Sequence, residues 1–102
     1  MKIKRLKKIE VNSNIFNIVW DSKSYGGSFS YEDNRITIGC KDKSPIYLFS
    51  IILHELLEIC SLEMGIRYTK PATTCDYIFN LDHTQFTTLT NMAAGLTSKF
   101  IE

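Results

Sequence analysis

The alternation of apolar and polar positions changes period along this chain, and each change marks an element. Ile15 to Trp20 is β-branched and aromatic, which predicts a strand, and the preceding Asn12-Ser13-Asn14 predicts a turn. Gly26-Gly27 then breaks the chain. From Ser28 to Cys40 the pattern reads as a hairpin: Phe29 and Tyr31 share one face, Ile36, Ile38 and Cys40 share one face, and Asp33-Asn34 suits a tight turn needing positive φ. Three antiparallel strands are expected before the first long helix.

That helix has clear limits, with Ser44 at the N-cap position, Pro45 at the first helical position and Gly65 just past the end, so it should run from Pro45 to Met64. Ile46, Leu48, Phe49, Ile51, Ile52 and Leu53, continued by Leu56, Leu57, Ile59 and Leu62, make it apolar on most sides and predict a central, buried helix. Arg67 to Asp76, with Pro71 and several threonines, reads as a loop, and Tyr77 to Leu81 as a short strand or extended arm. A second helix follows, with Asp82 as N-cap and Gln85 close to completing a capping box. Phe86, Leu89, Ala93, Leu96 and Phe100 fall on one apolar stripe, so this helix should pack on the core. The fold class expected is α+β, a single domain over residues 1–102 with a basic segment at 1–10.

Composition changes this picture little, whereas charge changes it locally. A chain of 102 residues that is 44% hydrophobic and 23% charged is an ordinary one-domain globular composition. Lys2, Lys4, Arg5, Lys7 and Lys8 hold five of the twelve basic residues, leaving seven bases against eleven acids in the remainder. Basic charge confined to one terminus argues against a nucleic-acid face and for a solvated terminus or an edge strand protected by lysines. Cys40, Cys60 and Cys75 are odd in number and lack CxxC spacing, which fits a reducing, cytoplasmic setting without disulfides. The apolar run Ile46 to Leu53 meets His54 and Glu55 far short of the ~20 residues of a membrane span, so no membrane partner is expected.

The polar residues of the buried helix are the ones that need explaining. Residues four apart on a helix lie about 40° from each other and one turn along, so His54 and Glu58 share a face and can bind one ion together. Zinc accepts imidazole nitrogen and carboxylate oxygen, and a catalytic site keeps three protein ligands with an open water position. His83, the only other histidine, is the candidate third ligand. Asp82 is ranked first as a helix cap and second as an orienting or ligating carboxylate. Glu55, next to the first ligand, occupies the place of a general base taking a proton from a metal-activated water. The blander alternative is a polar surface stripe of His54, Glu55, Glu58 and Glu63, with His83 merely a first-turn residue. Cys60 lies roughly 240° round the helix from His54 and belongs to the core. The tyrosines read as packing residues, although one near the metal could stabilise an oxyanion.

Gly27-Ser-Phe-Ser-Tyr31, Arg35-Ile-Thr-Ile38, Leu53-His-Glu-Leu-Leu-Glu58 and Asp76-Tyr-Ile-Phe-Asn-Leu-Asp-His83, followed by Phe86 and Ala94-Gly95-Leu96, resemble a family of small phage- and prophage-associated zincin-like proteins. These carry an HExxE or HExxH helix and a downstream histidine. The resemblance implies a minimal zincin-like fold, with a three-stranded antiparallel sheet on the metal-site helix. It implies metal ligands His54, Glu58 and His83 with Glu55 in the base position, and a metallopeptidase activity. By the same resemblance Ile36 to Cys40 would be the edge strand that receives an extended peptide or protein substrate. Glu58 in place of the usual second histidine makes zinc a weaker Lewis acid and leaves room for manganese or iron. The alternative is a phage accessory protein whose metal site is structural or whose surface binds a partner. With so short a chain, a homodimer is one way to complete a cleft.

Overall fold

Residues 1–70 and 77–102 are described by a computed structural model of the chain. Its elements are β1 (Lys8–Val11), β2 (Asn14–Asp21), β3 (Gly27–Ser30), β4 (Arg35–Gly39), α1 (Pro45–Glu63), β5 (Arg67–Thr69), β6 (Tyr77–Phe79) and α2 (His83–Ser98). The α+β class expected from the sequence is what is observed. The main sheet, however, has four strands in the order β1-β2-β4-β3, and β2 and β4 run parallel. This corrects the expectation of three antiparallel strands.

The extra strand, β1, begins at Lys8, the last base of the basic segment. Ile9 and Val11 are buried while Lys8 and Glu10 face out, a period of two that pairs β1 with β2 through the turn at Asn12 and Ser13. Both turn residues adopt positive φ, 49° and 71°, the backbone twist that favours a two-residue hairpin. The β3–β4 hairpin turns where expected, with Asn34 at φ 48°.

Parallel pairing of β2 with β4 depends on a glycine. After β2 the chain crosses the end of β4 before descending as β3, so the Ser24–Gly26 backbone lies directly on Gly39. A Cβ at Gly39 would sit 2.6 Å from the Gly26 carbonyl oxygen and 2.7 Å from that of Ser24. The crossover is fastened by Cys40 N–H donating to the Asp21 carbonyl at 2.8 Å and Gly39 N–H donating to the Gly26 carbonyl at 2.7 Å. As a result β4 is an interior strand, and β3 takes the free edge. Ile36 to Cys40 therefore cannot be the edge strand expected from the resemblance.

Phe16 and Ile18 of β2, Ile36 and Ile38 of β4, and Leu48, Ile52, Leu56 and Ile59 of α1 form the buried core. α1 packs on β3 and β4, and α2 packs along α1. By length and composition α1 also meets the description of a membrane span, yet here it serves as the core helix, with Glu55 in its middle. Pro45 starts it as expected, but the Ser44 side chain makes no capping hydrogen bond, and Ile46 is exposed. Gly65, at φ 70°, ends it: Gly65 N–H reaches the Leu62 carbonyl and Ile66 N–H the Ser61 carbonyl, both at 3.0 Å, which is a Schellman closure.

That closure turns the chain back along α1, so Arg67–Thr69 forms a strand paired with Tyr77–Phe79 rather than the start of a loop. Residues 71–76 of the expected loop, with Cys75, lie outside the described residues. Asp82 caps α2 as expected, accepting from Gln85 N–H at 2.8 Å while the Gln85 side chain accepts from Asp82 N–H at 2.9 Å. Of the α2 stripe, Leu89, Ala93 and Phe100 are buried, whereas Phe86 is exposed.

Candidate metal centre

α1 presents its polar residues on the strip between β3 and the β5–β6 hairpin. His54 Nε2 lies 3.1 Å from Glu58 Oε2 and 3.9 Å from Glu55 Oε2, and one ligand atom from each of the three residues lies within 4.8 Å of the others. Two donors held at 2.0–2.1 Å on a tetrahedral ion are roughly 3.3 Å apart, so the His54–Glu58 spacing fits a chelating pair. The same spacing serves a direct imidazole–carboxylate contact.

Burial divides the three sharply. The His54 side chain is 70% exposed, that of Glu58 18% and that of Glu55 5%, so an ion reached from solvent would meet His54 first and Glu55 last. Burial, reinforced by the neighbouring Glu58 carboxylate, pushes the Glu55 carboxyl above its ordinary range, while His54 and Arg67 pull it back. A carboxylate made more basic by its surroundings is suited to taking a proton.

Glu55 is covered by β3. A Cβ at Gly27 would come within 2.7 Å of Ile51 Cγ2 and 3.1 Å of Glu55 Cγ, so the glycine lets the strand lie directly on the helix at this residue. Gly26, Gly27, Ser50, Ile51, His54 and Glu55 line a cavity of about 390 Å³ at that junction. On the opposite side His54 and Glu58 also form one wall of a second cavity of about 350 Å³, otherwise lined chiefly by Leu57, Phe79, Phe86 and Leu89. The candidate centre thus lies between a strand edge and an apolar pocket.

Sequence reasoning missed Arg67. Its side chain is 9% exposed, its Nη2 lies 3.3 Å from Glu58 Oε1, and its guanidinium carbon lies 3.5 Å from the Tyr77 ring centre and 5.4 Å from that of Phe29. Its Nε has no hydrogen-bond partner among the described residues. The available signal was Gly65: a left-handed cap there reverses the chain, and a basic residue two positions on returns towards the helix face it has just left.

His83 is the first residue of α2 and is exposed. It is not part of the His54–Glu55–Glu58 group. Its helix nevertheless supplies Phe86 and Leu89, one and two turns further on, to the pocket that His54 and Glu58 share. Glu63 belongs elsewhere, accepting from Asn12 at 3.0 Å, Asn14 at 2.9 Å and the Tyr31 hydroxyl at 3.0 Å, which ties the β1–β2 turn to the end of α1. Those donors hold its carboxyl below the ordinary range. Cys60 is buried in the core as expected, and burial pushes its thiol up to about 11.

Comparison with protein-family models, with curated proteins and with solved structures finds no match to this chain.

Proposed function

We propose that the chain is a minimal metal-dependent hydrolase acting on polypeptide, with His54 and Glu58 as the ligand pair and Glu55 as the proton acceptor. The zincin-like architecture and the kinship with phage- and prophage-associated proteins expected from the sequence belong to the same proposal, as does a cytoplasmic location. One observation carries it: three ligand-bearing residues of α1 bring their donor atoms within 4.8 Å, and the most deeply buried of them is the one whose basicity is raised. An imidazole and two carboxylates suit zinc, manganese or iron(II). A bound divalent ion would supply Lewis acidity and lower the pKa of a coordinated water.

The remaining work falls to this chain's own groups. His54 and Glu58 hold their donor atoms on the solvent side, and Glu55 keeps a basic oxygen 3.9 Å from His54 Nε2 at the floor of the same strip. β3 lies against Glu55 at Gly27 on one side, and the pocket at Phe79 and Phe86 offers an apolar side chain of the substrate a place on the other. Exposed, His83 is available as the third ligand that the sequence suggested.

A second reading rests on Arg67. Glu58 already has the Arg67 guanidinium on one oxygen and the His54 imidazole on the other, so the group holds together as an ion network without a metal, and the protein would then act by binding a partner without chemistry. Metal titration of protein made without a histidine tag separates the two. Close to one divalent ion per chain, lost in His54→Ala and retained in Glu55→Gln with hydrolysis abolished, is the result expected of the hydrolase. A folded protein that takes up no zinc, manganese or iron(II) refutes it and leaves the ion network. The His83→Ala variant reports on the third ligand: weakened metal affinity is expected, and unchanged affinity would remove His83 from the ligand set.

A further inference from the structure

β1 is one of the two edges of the main sheet, and its backbone has an outward row without a partner. In an antiparallel pair only alternate residues bond to a given neighbour. Ile18 N–H donates to the Lys7 carbonyl at 2.8 Å and the register runs Lys8↔Asn17, Ile9↔Phe16, so Lys7, Ile9 and Val11 bond to β2 while Lys8 and Glu10 turn their N–H and carbonyl groups outward. Among the described residues no other segment takes up those groups. A groove of about 530 Å³ lies along this edge, with Lys8, Ile9 and Glu10 in its wall.

The side chains of the same two residues lack partners as well. Lys8 and Glu10 are exposed, share the outer face of the sheet, and stand opposite Asn17 and Ile15 of β2, neither of which carries charge. Neither makes an ion pair among the described residues. A lysine alone on an edge strand repels a second edge of the same kind. Lysine and glutamate two positions apart are instead self-complementary, because antiparallel pairing about a two-fold axis through the residue between them sets each opposite the other.

We infer that a second copy of this chain pairs with the first through β1, antiparallel, about a two-fold axis at Ile9. Backbone and charge require the same register. Bonds can form only between outward residues, and setting Lys8 against Glu10 of the second copy, with Glu10 against its Lys8, uses the N–H and carbonyl of all of them. A slip of one residue would offer groups already bonded to β2, and a slip of two would set Lys8 against Lys8 or Glu10 against Glu10. The basic run stays clear of the junction: the Leu6 carbonyl accepts from the Trp20 indole at 2.9 Å and Lys4 N–H donates to the Phe100 carbonyl at 2.6 Å, so in both copies it follows β2 and the C-terminus away from the axis. On the core side, half-buried Met92 and Leu96 of α2 line a groove of about 370 Å³ beside Val11, and the second copy gives this apolar surface a neighbour. Pairing β1 with β3 is disfavoured, since a head-to-tail contact does not close on itself and Gly27-Ser-Phe-Ser30 offers Lys8 and Glu10 no charge. The inference does not rest on a metal at α1: joining two sheets at β1 leaves β3 outermost, and each candidate centre stays within its own chain.

Sedimentation equilibrium over a concentration series tests it with paired charge reversals. The native chain should dimerise reversibly, and His54→Ala should leave that unchanged. Lys8→Glu and Glu10→Lys each set like charges opposite one another at both symmetry-related places, so each should weaken association ~10-fold or more. The double variant should regain native association. An equimolar mixture of the two single variants should form a heterodimer, because every opposed pair is then one acid and one base. Should a single variant fold poorly, amide hydrogen exchange of the native chain decides: protection of Lys8 and Glu10, whose N–H groups are free in one copy, should rise with protein concentration. A native chain that stays monomeric up to about 1 mM overturns the inference. So does undiminished association of the single reversals, a double variant or a mixture that remains monomeric, or concentration-dependent protection at β3 in place of β1.

Discussion

Substituting Gly39 by alanine should disturb the whole approach of β3 to the candidate centre, because Gly39 is where the β2–β3 connection crosses β4. The added Cβ would meet the Gly26 oxygen and the Tyr25 carbonyl carbon at 2.6 Å and the Ser24 oxygen at 2.7 Å, about 0.7 to 0.8 Å inside the 3.4 Å at which ordinary contact begins. All three atoms are backbone, so no rotamer change relieves them. Displacing the 24–26 segment would strain or break the Gly39–Gly26 and Lys41–Ser24 hydrogen bonds, at 2.7 and 3.1 Å. Overpacking against rigid atoms costs about 1–3 kcal/mol, and the upper half of that range is expected here. At roughly 4–8 °C per kcal/mol for a domain of this size, the midpoint should fall by about 8–24 °C. Thermal melting followed by circular dichroism measures it. Gly39 has no positive φ, so a loss cannot be assigned to backbone strain; a midpoint within about 2 °C of the native chain would refute the crossover packing.

Gly95→Ala is the matched control: nothing lies within 4 Å of its Cβ and the position is helical, so a gain of about 0.5–1 kcal/mol is expected in the same melt. Glu55→Gln in metal-free protein should show a pH signature. The folded carboxyl titrates above its ordinary value of 4.5, so below that value both states are protonated and the native chain keeps its full stability. As pH rises from there towards the folded value, the unfolded chain releases its proton first and the native protein loses stability, which the variant does not. The midpoint difference should therefore grow with pH and then level off, and a constant difference would contradict the desolvation of Glu55. Arg67→Met should cost about 1–3 kcal/mol in urea unfolding, below the value for a fully buried pair because water still reaches Glu58. A variant as stable as the native chain would remove Arg67 from the account of the site.

The elements legible in the sequence were those with a local cause. α1 and α2 carry their own punctuation in Pro45, Gly65 and Asp82, and the β3–β4 turn has Asn34 to take its positive φ. The pairing of β2 with β4 was not legible, because it depends on a backbone crossing at Gly39 that leaves no periodic trace. β1 was legible only as one of two readings, since a basic run suits a solvated terminus as well as an edge strand protected by lysines, and it is the burial of Ile9 and Val11 that makes a strand of residues 8–11. At the candidate centre, His54 and Glu58 followed from helical geometry alone. Arg67 did not, because its place depends on the chain reversal after Gly65 and on rings from two other strands.

Glu58 is the residue through which the two readings of the centre meet. Oε1 faces Arg67 at 3.3 Å and Oε2 faces His54 at 3.1 Å, so the guanidinium fixes the carboxylate with one oxygen turned towards the imidazole. That is the orientation a chelating pair requires, and an arginine stacked on Tyr77 supplies it more rigidly than a lysine would. Arg67 also sets a cation beside the place a divalent ion would take, opposing it while aligning its ligand. Two carboxylates and one guanidinium leave a single net negative charge for a doubly charged ion, before His54 contributes its lone pair. A weakly charged but pre-aligned donor set favours an ion that gains most from imidazole over one that relies on carboxylate charge alone. If the centre binds metal, zinc should therefore be taken up well ahead of magnesium or calcium, and competitive titration with a chromophoric chelator measures that order. Preference for calcium would show that charge, not the alignment imposed by Arg67, governs the site.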